Sequence, residues 1–194
     1  MEAPLCPEEE SLLRHAVRAR RREFALGRAA ARAALAKLGV PVARIGVRAD
    51  RTPIWPDGFV GSITHCDGFC GAVVARSSDI AGIGFDAEAS APLPDGVGRI
   101  IYGEEEGEHF SALPAINGLD WGKLAFSAKE AFYKCFFPLT QCKLNFRDVR
   151  VRFSVMGEFE IASDATKDFL DSKTQGRWLM SGGLVFTSFV KAGA

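Results

Sequence analysis

The sequence predicts a mixed α+β fold built from two helix-and-strand halves in one chain. Helix-forming residues dominate 8–38, and a second strong helical segment covers 127–137. Between the halves, residues 89–98 (ASAPLPDGVG) hold two Pro and two Gly, which is typical of a linker. We therefore expect an N-terminal half over 1–95 and a C-terminal half over 96–194. Apolar and β-branched runs predict strands at 42–47, 60–64, 71–76, 80–86, 144–154, 158–161, 178–180 and 184–190.

The composition excludes several classes of protein. The chain has 194 residues, 47% of them hydrophobic, and its 24 basic and 24 acidic residues cancel. Such a chain is globular rather than disordered, and the lack of a basic excess argues against nucleic-acid binding. No apolar run approaches the ~18 residues of a membrane span, and the start does not resemble a secretory signal. Five cysteines, an odd number, predict reduced thiols in a cytoplasmic protein.

Local signals set the expected ends of the two helical segments. Pro7 suits a first-turn position, and Pro41 lies just after the expected end of the first segment. Gly27 interrupts the helical pattern, so we expect the first segment to split there. Pro138 is expected to end the second segment.

Two carboxylates define the first candidate site. Residues 84–88 (GFDAE) end an apolar strand, and alternate residues of a strand face the same side, so Asp86 and Glu88 project together. Paired carboxylates at a strand end suit Mg²⁺, which is usually completed by waters and substrate phosphates. The alternative is that both are solvated acids just beyond a strand.

The second candidate is residues 126–134 (FSAKEAFYK). Ser127 and Glu130 fit a capping box at a helix start, and Glu130 and Lys134 fit an ion pair one turn apart. On the functional interpretation, Glu130 is a third carboxylate, a metal ligand or general base, and Lys134 binds phosphate in the same cleft. The two interpretations compete, because a Glu130 that closes a capping box points back at its own helix start.

The third candidate is residues 61–66 (GSITHC), where Thr64 and His65 end a strand and offer a hydroxyl and an imidazole to a ligand. The alternative is a structural histidine satisfied by backbone. Cys66 and Cys70 beside His65 provide too few ligands for zinc. Seven arginines over residues 14–32 form a basic stripe that could hold phosphate or could simply be solvated.

Several enzyme motifs are absent from the sequence. It contains no G-x-x-x-x-G-K-[ST] loop and no G-x-G-x-x-G before a helix, which argues against a P-loop nucleotidase and a dinucleotide fold. It also lacks the G-x-S-x-G elbow of acyl hydrolases.

Taken together and in this order, the three patterns resemble the 4′-phosphopantetheinyl transferase family. The resemblance extends to residues 21–35 (RREFALGRAAARAAL) and 51–56 (RTPIWP) and is to the broad-specificity branch that includes the enterobactin- and surfactin-synthesis activators. It implies a pseudo-dimer of two similar α+β halves in one chain, with coenzyme A in the cleft between them. The implied activity is the transfer of 4′-phosphopantetheine from coenzyme A to a serine of an apo acyl, peptidyl or aryl carrier protein, with release of adenosine 3′,5′-bisphosphate.

The resemblance also implies roles for individual residues. Mg²⁺, or Mn²⁺, would be held by Asp86, Glu88 and Glu130. Glu130 would accept the serine proton, and Lys134 would stabilise charge on the phosphate, so that catalysis rests on Asp86, Glu130 and Lys134. The implied coenzyme A contacts are Arg20, Arg28, Arg51, Thr64, His65, Lys129 and Lys134, with Arg28 and His65 on the 3′-phosphate.

Two alternatives stay open beside this hypothesis. A Mg²⁺-dependent phosphodiesterase or pyrophosphatase could use the same carboxylates on water, but it would not need the basic and Thr-His residues that suit a large nucleotide. A non-catalytic carrier-binding relative would be expected to have lost some of the acidic residues. The branch of the family that the sequence resembles implies a monomer. The carrier protein could belong to siderophore, polyketide, non-ribosomal peptide or fatty-acid synthesis.

Overall fold

The computed structural model describes residues 5–40, 44–116, 118–171 and 174–193. Within these ranges no helix is both long and apolar enough to cross a membrane. The helices are α1 (Pro7–Ser11), α2 (Arg18–Lys37), α3 (Gly98–Ile101), α4 (Glu104–Ala112) and α5 (Trp121–Thr140). The strands are β1 (Gly46–Val47), β2 (Pro53–Ile54), β3 (Phe59–Cys66), β4 (Phe69–Arg76), β5 (Ile80–Ala89), β6 (Arg150–Ser154), β7 (Glu158–Ala162), β8 (Thr174–Ser181) and β9 (Leu184–Ala192).

The strands form one large antiparallel sheet and two smaller pairs. The large sheet has the order β5-β9-β8-β7-β6, while β3 pairs with β4 and β1 pairs with β2. Helix α2 packs on the β3–β4 hairpin, and α5 packs on the large sheet. The predicted mixed fold of two helix-and-sheet halves is therefore confirmed. Strand β5, which the predicted division assigns to the first half, pairs along its length with β9 of the second, and the boundary at 95/96 stays a prediction.

Each long helix covers its own hydrophobic core. The smaller core joins Ala31 and Leu35 of α2 to Ile45. In the larger core, α5 meets the sheet through aromatic side chains, and each fully buried Phe contributes roughly 1.5–3 kcal/mol to stability. The buried aromatic residues of this core are Phe110, Phe132, Phe136, Phe153, Phe159, Phe169 and Phe189.

The first helical segment is broken before α2 and not at Gly27, so that prediction was wrong. The chain leaves helical geometry between α1 and α2 because long-range contacts fold α1 back onto α2. The buried Glu9 carboxylate pairs with Arg32 at 3.0 Å, and Arg21 donates to the Leu13 carbonyl at 3.0 Å. Gly27 instead lets α2 approach β3, since a Cβ there would lie 2.9 Å from Ile63 Cγ2.

The ends of other helices also differ from the predicted ones. Helix α5 begins six residues before Ser127, because the Asp120 carboxylate caps it by accepting from the Lys123 amide at 2.7 Å. It continues past Pro138 to Thr140. The acidic run at 104–108 starts α4, a helix that the sequence analysis did not predict. Residues 42 and 43 of the strand predicted at 42–47 lie outside the described residues.

Helix α5 approaches the sheet closely at two glycines of β5. A Cβ on Gly84 would lie 1.8 Å from the Ala131 carbonyl oxygen, and one on Gly82 would lie 2.7 Å from Leu139 Cδ1. Backbone cannot move aside as the end of a side chain can. Gly84 is therefore required by the contact of the helix backbone with the strand.

We predict that Gly84→Ala destabilises the protein by about 3 kcal/mol or more, because the added methyl group must push α5 away from β5. Chemical denaturation measures the effect. Gly107→Ala is the matched control: a Cβ there meets nothing closer than 3.7 Å, and alanine inside α4 should stabilise by about 0.5–1 kcal/mol. Equal stability of Gly84→Ala and the wild type would contradict the close packing.

Candidate active site

The acidic residues of β5 lie where β3, β5 and α5 meet. Asp86 and Glu88 are two apart on the strand and so share a face. The Asp86 carboxylate is buried. Glu88 is partly exposed and lies 3.4 Å from the Lys123 ammonium. Asp86 is therefore not a solvated acid beyond the end of a strand.

Three side chains hold the Asp86 carboxylate. Thr64 Oγ1 donates to Oδ1 at 2.9 Å, Lys134 Nζ donates to the same oxygen at 2.6 Å, and Ser127 Oγ donates to Oδ2 at 2.8 Å. The donors come from β3 and from two turns of α5. Charge-assisted hydrogen bonds of this kind are stronger than neutral ones, so Asp86 is the point at which these elements are tied together.

The capping-box interpretation of Ser127 and Glu130 is wrong. Ser127 lies in the second turn of α5 and is fully buried, and the helix is capped by Asp120. The Ser127 hydroxyl is therefore free to bind Asp86, and Glu130 is free to face the cleft.

Glu130 is held in an unfavourable environment for a charge. Burial raises its pKa, Lys134 one turn away lowers it, and the carboxylates of Asp86 and Glu88 raise it again. The pKa of Glu88 is likewise raised by burial and by Asp86. The charges of Asp86 and Glu88 therefore disfavour ionisation of Glu130, and the charge of Asp86 disfavours ionisation of Glu88.

The chemistry of these donors fits a hard divalent cation, which prefers carboxylate oxygens. In the part of the chain that the structure describes, no group of three or more His, Cys, Asp or Glu side chains is arranged closely enough to hold a metal ion. The ammonium groups of Lys134 and Lys123 neutralise Asp86 and Glu88 instead. A cation would take the place of these ammonium groups.

A cleft of about 1290 Å³ opens beside this centre and is bordered by α2, the 47–55 segment, β3, β5 and α5. Its volume exceeds the range of about 300–1,000 Å³ that is usual for small-molecule sites. Of the residues predicted from the sequence, the cleft is lined by Arg20, Arg28, Arg51, His65, Glu130 and Lys134.

Arg28 and His65 are fixed in different ways. Arg28 is buried, donates to the Ile45 carbonyl at 2.9 Å and lies 4.3 Å over the Phe24 ring, and burial lowers its pKa. His65 Nε2 lies 3.0 Å from Glu23 Oε2. The same carboxylate oxygen is 3.4 Å from Arg20, so an acid stands between two predicted phosphate-binding side chains.

Lys129 does not reach the cleft. Its ammonium is buried and donates to the carbonyls of Ile101 and Phe146 at 2.8 and 2.9 Å. It also pairs with Glu106 at 2.8 Å, whose carboxylate accepts the amides of Gly103 and Val151. This arrangement gives no support to a contact of Lys129 with a ligand. Lys129 joins α5 to α3, to α4 and to Phe146.

Three features of the site were missed in the sequence analysis. Thr187 of β9 lies 2.8 Å from Ser127 Oγ, Glu23 pairs with His65, and Lys123 pairs with Glu88. Glu23 could have been found from its position among the arginines of α2. The contacts of Thr187 and Ser127 carry no local signal, because they join residues 60 positions apart.

Both halves of the chain match known families. Residues 8–75 match the 4′-phosphopantetheinyl transferase N-terminal domain, and residues 82–188 match the 4′-phosphopantetheinyl transferase superfamily. The chain is 39% identical to the 4′-phosphopantetheinyl transferase Svp of Streptomyces mobaraensis, over 97% of this chain and 79% of that protein. It is 40% identical to the 4′-phosphopantetheinyl transferase PptT of Mycobacterium tuberculosis, over 95% and 85%.

A third relative supports the resemblance to the enterobactin branch. The enterobactin synthase component D of Salmonella typhi is 37% identical over 64% of this chain and 51% of that protein. These matches show that the protein is a transferase. More closely, the chain belongs to the 4′-phosphopantetheinyl transferase family. The predicted activity, transfer of phosphopantetheine from coenzyme A to carrier proteins, is that of this family and is confirmed at that level.

We predict that Lys129→Met lowers the free energy of unfolding by about 3–5 kcal/mol, because it leaves the buried Glu106 carboxylate without its charged partner. Thermal and chemical denaturation measure this. The double variant Lys129→Met with Glu106→Gln should recover part of the loss. A Lys129→Met protein of unchanged stability and a weakened affinity for coenzyme A would instead assign Lys129 to ligand binding.

Proposed function

We propose that this protein transfers 4′-phosphopantetheine from coenzyme A to a serine hydroxyl of an apo carrier protein, depends on Mg²⁺, and releases adenosine 3′,5′-bisphosphate. The observation that carries the proposal is that Glu130 and Lys134 line a large, cation-lined cleft, while Lys134 also binds the buried Asp86 carboxylate behind it. A siderophore, non-ribosomal peptide or polyketide carrier is the expected partner.

The cleft supports binding of a large anionic nucleotide. Coenzyme A carries a diphosphate and a 3′-phosphate, and the cleft offers guanidinium and imidazole donors from α2 and β3. Arg28 is preorganised by its backbone bonds and by Phe24, so little side-chain entropy is lost when it meets a phosphate. We assign Arg28 and His65 to the 3′-phosphate.

The reaction joins the serine oxygen to the phosphorus next to pantetheine and breaks that phosphorus's bond to the oxygen of the departing adenosine bisphosphate. Glu130, whose pKa is raised by burial, accepts the serine proton directly or through one water. Lys134 donates to the phosphate oxygens as their charge increases.

Asp86 and Glu88 would hold Mg²⁺, with Glu130 near the same centre. When bound, the ion would neutralise the diphosphate and the leaving phosphate. The chain's own contribution is to hold the Asp86 carboxylate by three donors and to exclude bulk water from it, since it is buried.

We further propose that the protein is a cytoplasmic monomer. Its five cysteines are free thiols, which suits a reducing compartment. The elements that border the cleft come from both regions of a single chain.

The test is intact-protein mass spectrometry of an apo carrier protein incubated with this protein, coenzyme A and Mg²⁺. We expect a mass gain of one phosphopantetheine that EDTA abolishes. Glu130→Gln should lower the rate by about 10²–10⁴-fold without lowering the melting temperature, because a partly buried carboxylate with a raised pKa is replaced by a neutral amide. Glu108→Gln, on the exposed face of α4, is the matched control. Transfer that survives EDTA, or a fully active Glu130→Gln, would contradict the mechanism.

Glu23 gives a second prediction. Its carboxylate lies between His65 and Arg20, where it repels an incoming phosphate. Glu23→Gln keeps the shape of the side chain and removes the charge. We expect KM for coenzyme A to fall by up to about fivefold with kcat unchanged, since one exposed charge interaction is worth up to about 1 kcal/mol.

Dephospho-coenzyme A separates the possible origins of that effect. If the cations meet the 3′-phosphate, the KM of dephospho-coenzyme A should change little in Glu23→Gln. A higher KM for coenzyme A would show that Glu23 assists binding by holding His65, and the prediction would be wrong.

A further inference from the structure

Three elements of the fold meet at one buried set of oxygen atoms. Asp86 of β5 is bound by Ser127 of α5, and Ser127 Oγ lies 2.8 Å from Thr187 Oγ1 of β9. Asp86 and Thr187 are direct partners in the β5–β9 ladder. Ser127 and Thr187 are almost completely buried, at 0% and 1% exposure. These hydroxyls therefore form their hydrogen bonds with protein groups and not with bulk water.

The supply of hydrogens fixes the direction of these bonds. An ionised carboxylate accepts hydrogen bonds and donates none, so the Ser127 hydroxyl hydrogen points at Asp86 Oδ2. The 2.8 Å contact between the hydroxyls must then use the hydrogen of Thr187. Thr187 also lies 2.9 Å from the Ser127 carbonyl, so its hydrogen is shared between two acceptors of the same residue. The chain of bonds runs from Thr187 through Ser127 to Asp86.

The two oxygens of Asp86 are held unequally. Oδ1 receives Thr64 and Lys134, whereas Ser127 is the donor to Oδ2 among the described residues. A carboxylate held at one oxygen can turn about its Cβ–Cγ bond, and one held at both cannot. Ser127 thus fixes the plane of the carboxylate, and Thr187 fixes Ser127.

We propose that Ser127 and Thr187 are positioning residues for phosphopantetheine transfer, with Thr187 acting through Ser127 on the orientation of Asp86. The inference rests on the proposed function, because it concerns the same carboxylate. Neither hydroxyl touches the substrate. Groups that orient ligating side chains typically contribute 10–100-fold to metal affinity or activity.

Three substitutions separate positioning from packing. Ser127→Ala removes the donor to Asp86. Thr187→Val removes one hydroxyl at nearly constant volume, and Thr187→Ser keeps it. We expect kcat to fall about 10–100-fold in Ser127→Ala, less than tenfold in Thr187→Val, and hardly at all in Thr187→Ser, with KM for coenzyme A unchanged throughout.

Thr166→Val is the matched control for loss of a buried threonine hydroxyl. Thr166 Oγ1 is buried and has no hydrogen-bond partner within the described ranges. It lies in the short turn Asp164–Thr166, far along the chain from Asp86. Its replacement should leave kcat unchanged and should not lower the melting temperature.

The double variant Ser127→Ala with Thr187→Val tests the order of action. If Thr187 acts through Ser127, the double variant has the kcat of Ser127→Ala alone, because one path is cut twice. Multiplied losses would overturn the proposed order. Wild-type kcat in Ser127→Ala, or an equal loss in Thr187→Ser and Thr187→Val, would overturn the positioning role.

Binding of Mn²⁺ in the presence of coenzyme A, followed by electron paramagnetic resonance, gives a readout that needs no carrier. We expect affinity for Mn²⁺ to fall about 10–100-fold in Ser127→Ala and further in Asp86→Asn, but not in Thr166→Val. Unchanged affinity in Ser127→Ala would overturn the inference. Absence of transfer by the wild type to any carrier would instead overturn the proposed function, and the Mn²⁺ titrations would still decide the role of Ser127.

Discussion

The direct contact of α5 with β5 is the constraint on which the site depends. At Gly84 the strand leaves no room for a side chain between itself and the Ala131 carbonyl. This short separation lets small and medium side chains of α5 reach Asp86 two residues further along the strand. The Ser127 hydroxyl reaches Asp86 Oδ2 at 2.8 Å, and the ammonium of Lys134, two turns further along α5, reaches Oδ1. With a wider gap, Ser127 could not touch Asp86, and Oδ2 of the buried carboxylate would lose its donor, which is costly.

Lys129 holds the opposite side of the same helix. Successive helical residues point about 100° apart, so Lys129 and Glu130 cannot serve the same environment. Lys129 enters a buried cluster in which Glu106 and two carbonyls satisfy its ammonium. Burial lowers the pKa of Lys129, and Glu106 opposes that shift. A buried ion pair adds little net stability but is strongly directional. We attribute to this pair the rotational setting of α5 that turns Glu130 toward the cleft.

Short-range patterns in the sequence predicted much of the site. Alternation along a strand placed Asp86 beside Glu88, and one helical turn placed Glu130 near Lys134. The role of Ser127 could not be predicted locally, because S-x-x-E fits a helix start as well as it fits a helix interior. The choice depended on Asp120, whose cap moves the start of α5 back by two turns. The break before α2 was missed for a similar reason, since the pair Glu9–Arg32 joins residues 23 positions apart.

The charged side chains of the site are paired with one another. Lys134 neutralises Asp86, Lys123 neutralises Glu88, and Glu23 stands between Arg20 and the His65 imidazole. Binding of a divalent cation at Asp86 and Glu88 would free the ammonium groups of Lys134 and Lys123 for phosphate, and binding of a phosphate near Arg20 and His65 would displace the exposed Glu23 carboxylate into water. For the buried Asp86, loss of its charged partner would be costly, and this exchange of partners would avoid that cost. Ser127 and Thr187 do not take part in the exchange, which is why they can hold Asp86 in one orientation while its charged partners change.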